Sequence, residues 1–258
     1  MPELPDLQVF SANLEKILKG KKVKKVNMPV TKKLKIPLSV LKKSIEGAKV
    51  EKVYRDGKEL RFAFDNKNIL GMHLMLHGNL NLFEKKNEEK HAIFEMLFDD
   101  NSGLALSDWQ KMANVSLNPE VSTAPDALSK EINEKFLKEA LDKKSTVKQV
   151  LMDQHIIRGI GNAYADEILW EARISPFSTS NKIPPEKIKL LAKAIRKVLT
   201  AAEKKIKKEH PDLVTGEIRD FLLIHNSHKI ETPAGVPILS GEINKRKTYY
   251  TSEQELFN

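Results

Sequence analysis

The spacing of the apolar residues changes once along this chain of 258 residues, and that change limits the folds open to it. Between about Lys21 and Asp108, apolar runs of strand length alternate with turn residues such as Asp56-Gly57 and Gly78-Asn79. Past Pro125 the apolar residues recur at steps of three and four, as in an amphipathic helix. The pattern predicts an α+β protein, with an N-terminal antiparallel β-sandwich and flanking helices before a helical domain.

Two helices and six strands are predicted in the first half of the chain. An amphipathic helix is expected over residues 6–18 with Asp6 as its N-cap, and a short helix over residues 38–45. Strands are predicted at residues 23–30, 50–54, 60–64, 69–76, 93–98 and 104–106.

The second half is predicted to be helical until its last part, which returns to strand-like runs. Helices are expected at residues 132–141, 147–157, 163–172 and 184–206, and strands at residues 221–224, 236–239 and 248–250. These limits predict three domains, at residues 1–130, 131–221 and 222–258, the last a small β-hairpin.

Charge and cysteine content narrow the classes of function. Lys and Arg number 44 against 35 Asp and Glu, and the net charge of +9 indicates a polyanionic partner such as nucleic acid or an acidic membrane surface. The chain has no cysteine, which excludes disulfides, thiolate zinc sites, iron–sulfur clusters and cysteine nucleophiles. His225 and His228 lack further placed ligands, so no metal site is predicted.

The most informative stretch is residues 149–176, where two predicted helices are joined by Arg158-Gly159-Ile160-Gly161-Asn162. Glycines directly before a helix let the backbone approach a ligand and direct N–H groups at an anion. A tight turn between helices also favours glycine without any ligand. Asn162 can cap the following helix or direct its amide at a phosphate.

Within that stretch, LMDQHIIRGIGNAYADEILWEARISP resembles the helix–two-turn–helix element of the formamidopyrimidine-DNA glycosylase and endonuclease VIII superfamily. The opening, Met1-Pro2-Glu3-Leu4-Pro5, is similar to that of the formamidopyrimidine branch. The resemblance implies a bifunctional DNA glycosylase and AP lyase of base excision repair. Such an enzyme excises oxidised or ring-opened bases from double-stranded DNA and cleaves abasic sites by β- or β,δ-elimination. The resemblance also implies a cytoplasmic, bacterial-type monomer that needs no cofactor and no membrane.

The chemistry requires a nucleophile, and Pro2 supplies a secondary amine once Met1 is removed, as happens in the family. Such an amine forms an iminium with the sugar, and an α-amino group titrates at about pH 8. The resemblance implies that Glu3 is the acid that opens the deoxyribose. It also implies that Lys58 contacts the phosphate beside the lesion and assists catalysis.

Phosphate contacts are assigned by the resemblance to Lys144, Gly161, Asn162 and Arg246. Lys143 and Lys148 lie just before the same motif and are further candidates for phosphate contacts. Glu167 matches a glutamate of the family, and a structural role fits it at least as well as a functional one. In many members the C-terminal hairpin is a zinc finger, whose four ligand positions here hold Glu231, Ala234, Thr251 and Gln254. The resemblance therefore implies a zincless finger that holds Arg246 by packing alone.

Some positions depart from the family pattern. Leu76, next to Met75, occupies the position of a methionine that fills the gap left by the extruded nucleotide. Gln110 and Met112 replace an arginine and a phenylalanine of a second gap-filling loop. Residues 207–220 are short for the loop that caps 8-oxoguanine. A strict preference for 8-oxoguanine opposite cytosine therefore does not carry over to this chain.

Two other classes of function are compatible with parts of the pattern. One is a catalytically silent, damage- or structure-specific DNA-binding protein on the same scaffold. The other is a two-turn nucleic-acid-binding module in an unrelated basic protein, against which the opening motif and the Arg246 hairpin argue.

Overall fold

The computed structural model describes all 258 residues, which form two compact units. The first contains residues 1–121 and 206–217, and the second contains residues 122–205 and 218–258. The predicted division into three domains is finer than this and stays a prediction. None of the helices combines the length and the apolar character needed to cross a membrane.

The first unit contains two complete helices and eight strands. The helices are α1 (Leu4–Leu18) and α2 (Leu38–Ile45). The strands are β1 (Val23–Asn27), β2 (Val50–Asp56), β3 (Glu59–Phe64), β4 (Ile69–His73), β5 (Asn79–Glu84), β6 (Ala92–Phe98), β7 (Ser102–Ser107) and β8 (Asn114–Leu117).

These strands build two four-stranded antiparallel sheets, in the orders β1-β6-β7-β5 and β2-β3-β4-β8. Buried side chains from both sheets share one core with α1, including Phe10, Phe62, Phe94 and Leu106. Because both sheets contribute to this common core, the predicted N-terminal β-sandwich is confirmed.

Two details of the sandwich differ from the prediction. Helix α1 begins at Leu4 with Glu3 as its N-cap, so the prediction of Asp6 as N-cap is wrong. Asp6 is instead the third residue of the helix, and its carboxylate accepts the N–H of Glu3 at 2.8 Å. Strands β5 and β8 are not among the predicted strands. Both lie at sheet edges, where a strand pairs on one side only and its apolar pattern is weaker.

The second unit contains the remaining helices and a hairpin. The helices are α3 (Glu134–Ala140), α4 (Val147–Met152), α5 (Asn162–Glu171) and α6 (Pro185–Glu209), with a 3₁₀ turn at Ser180–Lys182. Helix α6 contributes residues to both units. The hairpin consists of the antiparallel strands β9 (Leu239–Ile243) and β10 (Arg246–Tyr250).

Three predicted elements of this half need correction. The helix expected to reach residue 157 ends at Met152, where the Gln154 amide stabilises a turn by donating to the carbonyls of Met152 and Ile160. The strand expected at residues 221–224 does not form, because a carboxylate of α5 accepts its backbone N–H groups. The strand expected at residues 236–239 begins only at Leu239.

Candidate functional site

Pro2 lies beside a small cavity of the first unit. The cavity has a volume of about 150 Å³ and is lined by Pro2, Leu76, His77, Trp109 and Glu217, among others. Pro2 itself is buried, and the cavity is the open space that it lines.

A carboxylate that the sequence analysis did not single out lies at the amino terminus. The amino group of Met1 forms an ion pair with Glu217. The segment before Glu217 is tied to the sandwich, because the Thr215 hydroxyl accepts the N–H of Leu80 at 2.9 Å. No sequence pattern marks Glu217, since its place beside Met1 depends on how residues 206–217 return to the first unit.

Glu3 is held at the start of α1. Its side chain is buried, and its backbone N–H donates to the Asp6 carboxylate. Glu3 is therefore fixed by helix capping directly after Pro2, and these two of the three predicted catalytic residues lie at the N-terminal end of α1.

Lys58 lies in the two-residue turn between β2 and β3, as its sequence neighbours predicted. Gly57, at φ +58°, takes the position of this turn that favours glycine. The Arg55 side chain donates to the Gly57 carbonyl and to the Gln8 side chain of α1, at 3.0 Å each. These bonds join the Lys58 turn to the helix that follows Pro2 and Glu3.

His73, at the end of β4, is a further polar group near Lys58. Burial, together with the positive charges of Lys58 and Lys33, lowers the pKa of His73 to about 4. Its Nδ1 accepts the N–H of Met75 at 3.1 Å, so the neutral ring carries its proton on Nε2. The sequence analysis missed His73, although it directly precedes the loop that carries Leu76.

The loop between β4 and β5 presents Leu76 to solvent, with 58% of the residue exposed. A tight turn builds the loop, in which the Gly78 N–H donates to the Leu74 carbonyl at 2.8 Å. A Cβ at Gly78 would lie 2.2 Å from that oxygen, so only glycine fits there. Leu76, rather than Met75, is the apolar side chain at the cavity.

The second predicted gap-filling loop, residues 108–113, is organised by Asp108. Its carboxylate accepts the N–H groups of Gln110, Met112 and Ala113 at 2.8–2.9 Å. Burial opposes the ionisation of Asp108, but these three bonds lower its pKa overall. The loop therefore exposes the side chains of Trp109, Gln110 and Met112 on a fixed backbone.

In the second unit, the two turns and α5 place Asn162 against the hairpin. Gly159 lies at φ +104°, and Gly161 is the N-cap of α5. The Asn162 amide donates to the Lys247 carbonyl of β10 at 2.9 Å. The structure thus brings together the two-turn motif and the strand that begins with Arg246.

Arg246 follows a two-residue turn formed by Asn244 and Lys245, both at positive φ, and its side chain is exposed. The Thr248 hydroxyl donates to the Arg246 carbonyl at 3.1 Å and accepts from Lys148 Nζ at 2.8 Å. The backbone of Arg246 is therefore connected through Thr248 to a lysine of α4.

Lys148 is buried, so its prediction as a phosphate-binding residue is wrong. Its ammonium forms an ion pair with Asp166 at 2.7 Å. Asp166 also accepts the Tyr249 N–H at 3.0 Å and contacts Nδ1 of His225 at 2.7 Å. The expectation that packing alone holds the hairpin is wrong as well, since this buried network connects β10 to α4 and α5.

The four positions that the resemblance aligns with zinc ligands divide into two kinds. Thr251 and Gln254 are buried, and the Gln254 side chain joins the Thr251 N–H to the Ile174 carbonyl, at 2.8 Å each. Glu231 and Ala234 are exposed. The structure contains no group of three or more His, Cys, Asp or Glu side chains that could hold a metal ion.

Two further predicted residues of the second unit have different surroundings. Lys144 is exposed in the segment before α4, whose N-cap is Thr146. Glu167 is buried, and its carboxylate accepts the N–H groups of Leu223, Ile224 and His225. Burial raises the pKa of Glu167 although these bonds oppose the shift, and the contacts give it a structural role.

Comparisons with known proteins agree with this architecture. Residues 1–115 match the model of the formamidopyrimidine-DNA glycosylase N-terminal domain, and residues 123–211 match that of its H2TH domain. The chain is 31% identical over 215 residues to the formamidopyrimidine-DNA glycosylase of Lactobacillus gasseri, covering 79% of this chain and 78% of that protein.

Solved structures share this fold. One is a complex between the wild-type Lactococcus lactis Fpg and a DNA containing an oxidized pyrimidine. Its TM-score is 0.87 at 26% identity, and the match covers 98% of this chain and 100% of that one. Another is a complex between the Lactococcus lactis Fpg and a DNA containing an abasic site, with a TM-score of 0.86 and the same identity and coverage. The chain therefore belongs to the formamidopyrimidine-DNA glycosylase family.

Proposed function

We propose that this DNA glycosylase of base excision repair is bifunctional, with Pro2 as its nucleophile once Met1 is removed. The observation that carries the proposal is the position of Pro2. It lines a small cavity, and the residue that follows it in the chain is the buried Glu3. A secondary amine at this place would meet the sugar of a nucleotide that is extruded from the duplex. We propose a monomeric enzyme, since this site needs no residue from a second copy.

The reaction follows from the amine. The nitrogen of Pro2 attacks C1′ of the deoxyribose, the bond from C1′ to the damaged base breaks, and the base leaves with the proton that the nitrogen gives up. Glu3 donates a proton to the ring oxygen as the sugar opens to the iminium. Loss of a proton from C2′ then expels the 3′ phosphate. While the iminium is intact, loss of a proton from C4′ would expel the 5′ phosphate and complete β,δ-elimination, and water then releases the enzyme.

Each unit offers candidate phosphate contacts for the DNA. Lys58, Lys144 and Arg246 supply charge, Gly161 allows close approach of the backbone, and the Asn162 amide has a second hydrogen besides the one it donates to the Lys247 carbonyl. The related structures bind DNA that contains an oxidized pyrimidine or an abasic site. We propose the same class of DNA as substrate here.

The exposed side chains of Leu76, Gln110 and Met112 would fill the gap that the extruded nucleotide leaves. Two of them are apolar, and apolar side chains are the ones that proteins insert between base pairs. Gln110, with both an amide donor and an acceptor, would face the orphaned base without the charge of an arginine.

Borohydride trapping on a duplex with an abasic site tests the proposal. Reduction of the iminium should join the protein covalently to DNA, and Pro2→Gly should lower the yield of this product sharply, because its primary amine replaces the secondary amine of proline. Pro5→Ala, which changes another proline of the same segment, is the matched control and should still be trapped. A covalent product that survives unchanged in Pro2→Gly would contradict the proposal.

The alternative is a silent DNA-binding protein on the same scaffold. While Met1 is present, the nitrogen of Pro2 is an amide and the amino group of Met1 is paired with Glu217. Intact-mass measurement of the protein from its native host separates the two functions. Retention of Met1 favours the silent protein, and its removal favours the enzyme.

A further inference from the structure

Trp109 is a large aromatic side chain whose position no part of the proposed function explains. It is 61% exposed on the loop that Asp108 organises, and it lines the same cavity as Pro2. Leu76, also exposed, lines this cavity from the other loop. The two exposed side chains therefore meet at the cavity that Pro2 also lines.

A second ring supports Trp109. The ring centroids of Trp109 and His77 are 5.1 Å apart, and their planes are inclined by 43°. His77 follows Leu76 in the other exposed loop and also lines the cavity. The two loops therefore place two rings against each other at the cavity, with Pro2 among the remaining lining residues.

We propose that Trp109, supported by His77, is a stacking surface for the base of the extruded nucleotide and selects planar damaged bases over ring-saturated ones. The inference rests on the proposed function, because it takes Pro2 as the group that attacks C1′. Trp109 would then determine specificity, while the reaction at the sugar would depend on Pro2 and Glu3.

The attack on the sugar fixes the position of the base. The base is bonded to C1′, the atom that Pro2 attacks, so it must occupy space next to Pro2. The cavity that Pro2 and Trp109 share has a volume of about 150 Å³. Pockets for drug-sized ligands have volumes of about 300–1,000 Å³, so this one suits a single ring system.

Stacking on Trp109 would distinguish damaged bases by the shape of their rings. Stacking on an aromatic side chain requires a flat π face on the ligand, and both aromatic bases and ring-opened purines with an intact pyrimidine ring have one. A ring-saturated pyrimidine is puckered and lacks this face. A tryptophan at the cavity therefore favours formamidopyrimidines and oxidised purines over dihydropyrimidines.

The loop that carries Trp109 has a fixed backbone. Asp108, directly before Trp109, accepts the N–H groups of Gln110, Met112 and Ala113, so the backbone on both sides of the indole is held. A side chain on a fixed backbone loses less conformational freedom when a ligand binds. The backbone that carries the Trp109 indole is thus arranged before the base arrives.

Single-turnover kinetics of Trp109→Ala and Trp109→Phe test the proposal. Trp109→Ala should slow the excision of a formamidopyrimidine base roughly 5- to 150-fold, the range expected for loss of one stacking contact. Trp109→Phe should retain most of the rate. Strand cleavage at a preformed abasic site should be unchanged in both variants, because that substrate has no base.

Fluorescence supplies a second measurement. The chain has two tryptophans, and Trp170→Phe leaves Trp109 as the only one. In this background, a duplex with a formamidopyrimidine should quench the emission of Trp109. Duplexes with dihydrothymine or with a tetrahydrofuran abasic analogue should leave it largely unquenched.

The outcomes separate the inference from the proposed function. Equal quenching by all three duplexes would show that Trp109 contacts the duplex or the orphaned base, and would overturn the inference. Absence of quenching by the formamidopyrimidine duplex would also overturn it. A Trp109→Ala variant that slows abasic-site cleavage as much as base excision, or that excises the base at the wild-type rate, would also overturn it. If the wild-type protein cleaves no abasic DNA, the proposed function itself fails.

Discussion

At the residue scale, the charge states of side chains in the first unit depend on different kinds of neighbour. Asp108 is kept ionised by three N–H groups of its own loop, a local pattern that an aspartate before a tight turn can indicate. His73 is kept neutral by burial and by Lys58 and Lys33, which lie elsewhere in the sequence. Only the first of these effects can be predicted from the sequence.

His73 makes the stability of the first unit depend on pH. Its pKa is about 4 in the folded protein and about 6.5 in the unfolded chain, so below pH 6.5 the unfolded chain binds a proton that the folded protein does not. The free energy of unfolding therefore falls as the pH drops from about 6.5 to about 4.

Between about pH 7 and pH 4.5, we expect the free energy of unfolding to fall by about 2 kcal/mol more in the wild type than in His73→Gln, because glutamine cannot take up this proton. Urea unfolding at the two pH values measures the difference. His155→Gln, at an exposed histidine, is the control and should leave the pH dependence of the wild type in place. Parallel losses in His73→Gln and the wild type would show that the His73 pKa is not lowered.

At the scale of elements, periodicity predicts the helices and central strands well because their apolar faces are buried. Helix α2 has the predicted limits, at residues 38–45. The strand expected at residues 221–224 does not form for a different reason. Leu222 and Ile224 are buried and the two residues beside them are partly exposed, an alternation typical of a strand. The Glu167 carboxylate, however, takes the place of a partner strand. Such a long-range side-chain contact leaves no periodic signal.

The hairpin of β9 and β10 depends on a second long-range contact, the buried pair of Lys148 and Asp166. Removing one member of a buried pair leaves the other charge without compensation and costs about 3–5 kcal/mol. We expect Lys148→Met to lower the free energy of unfolding by an amount in this range. Adding Asp166→Asn should recover part of the loss, because Asn can still accept the Tyr249 N–H without carrying a charge.

Urea unfolding of the single and double variants measures these changes. Lys197→Met is the matched control, because Lys197 also pairs with a carboxylate, Glu171, at 2.6 Å, but its side chain is 68% exposed. An exposed pair of this kind contributes about 0–1 kcal/mol. Similar losses in Lys148→Met and Lys197→Met would show that the buried pair does not anchor the hairpin.

At the scale of the whole molecule, the net charge of +9 predicts a polyanionic partner but not the residues that bind it. Most lysines are exposed, so composition cannot separate those that contact phosphate from the rest. The resemblance to the family selects Lys58, Lys144 and Arg246. Lys58 lies in a turn and Arg246 directly follows one, and side-chain hydrogen bonds hold the backbone at both places. Lys148 is no longer a candidate, because it is buried in an ion pair with Asp166.

Salt dependence distinguishes these contacts from the general charge. Each phosphate that a side chain neutralises on duplex DNA adds about 0.9 to the slope of log Kobs against log salt. Replacing Lys58, Lys144 and Arg246 together by alanine should therefore reduce the slope by about 3, measured on a duplex with an abasic analogue.

The control removes the same charge elsewhere. Lys189, Lys193 and Lys204 are exposed on α6, and replacing all three by alanine lowers the net charge of +9 by the same three units. If the proposed contacts are correct, this variant keeps the wild-type slope, because lysines that touch no phosphate release no counterions. If both triple variants lose the same slope, affinity follows the total charge of the molecule, and the three assigned phosphate contacts are wrong.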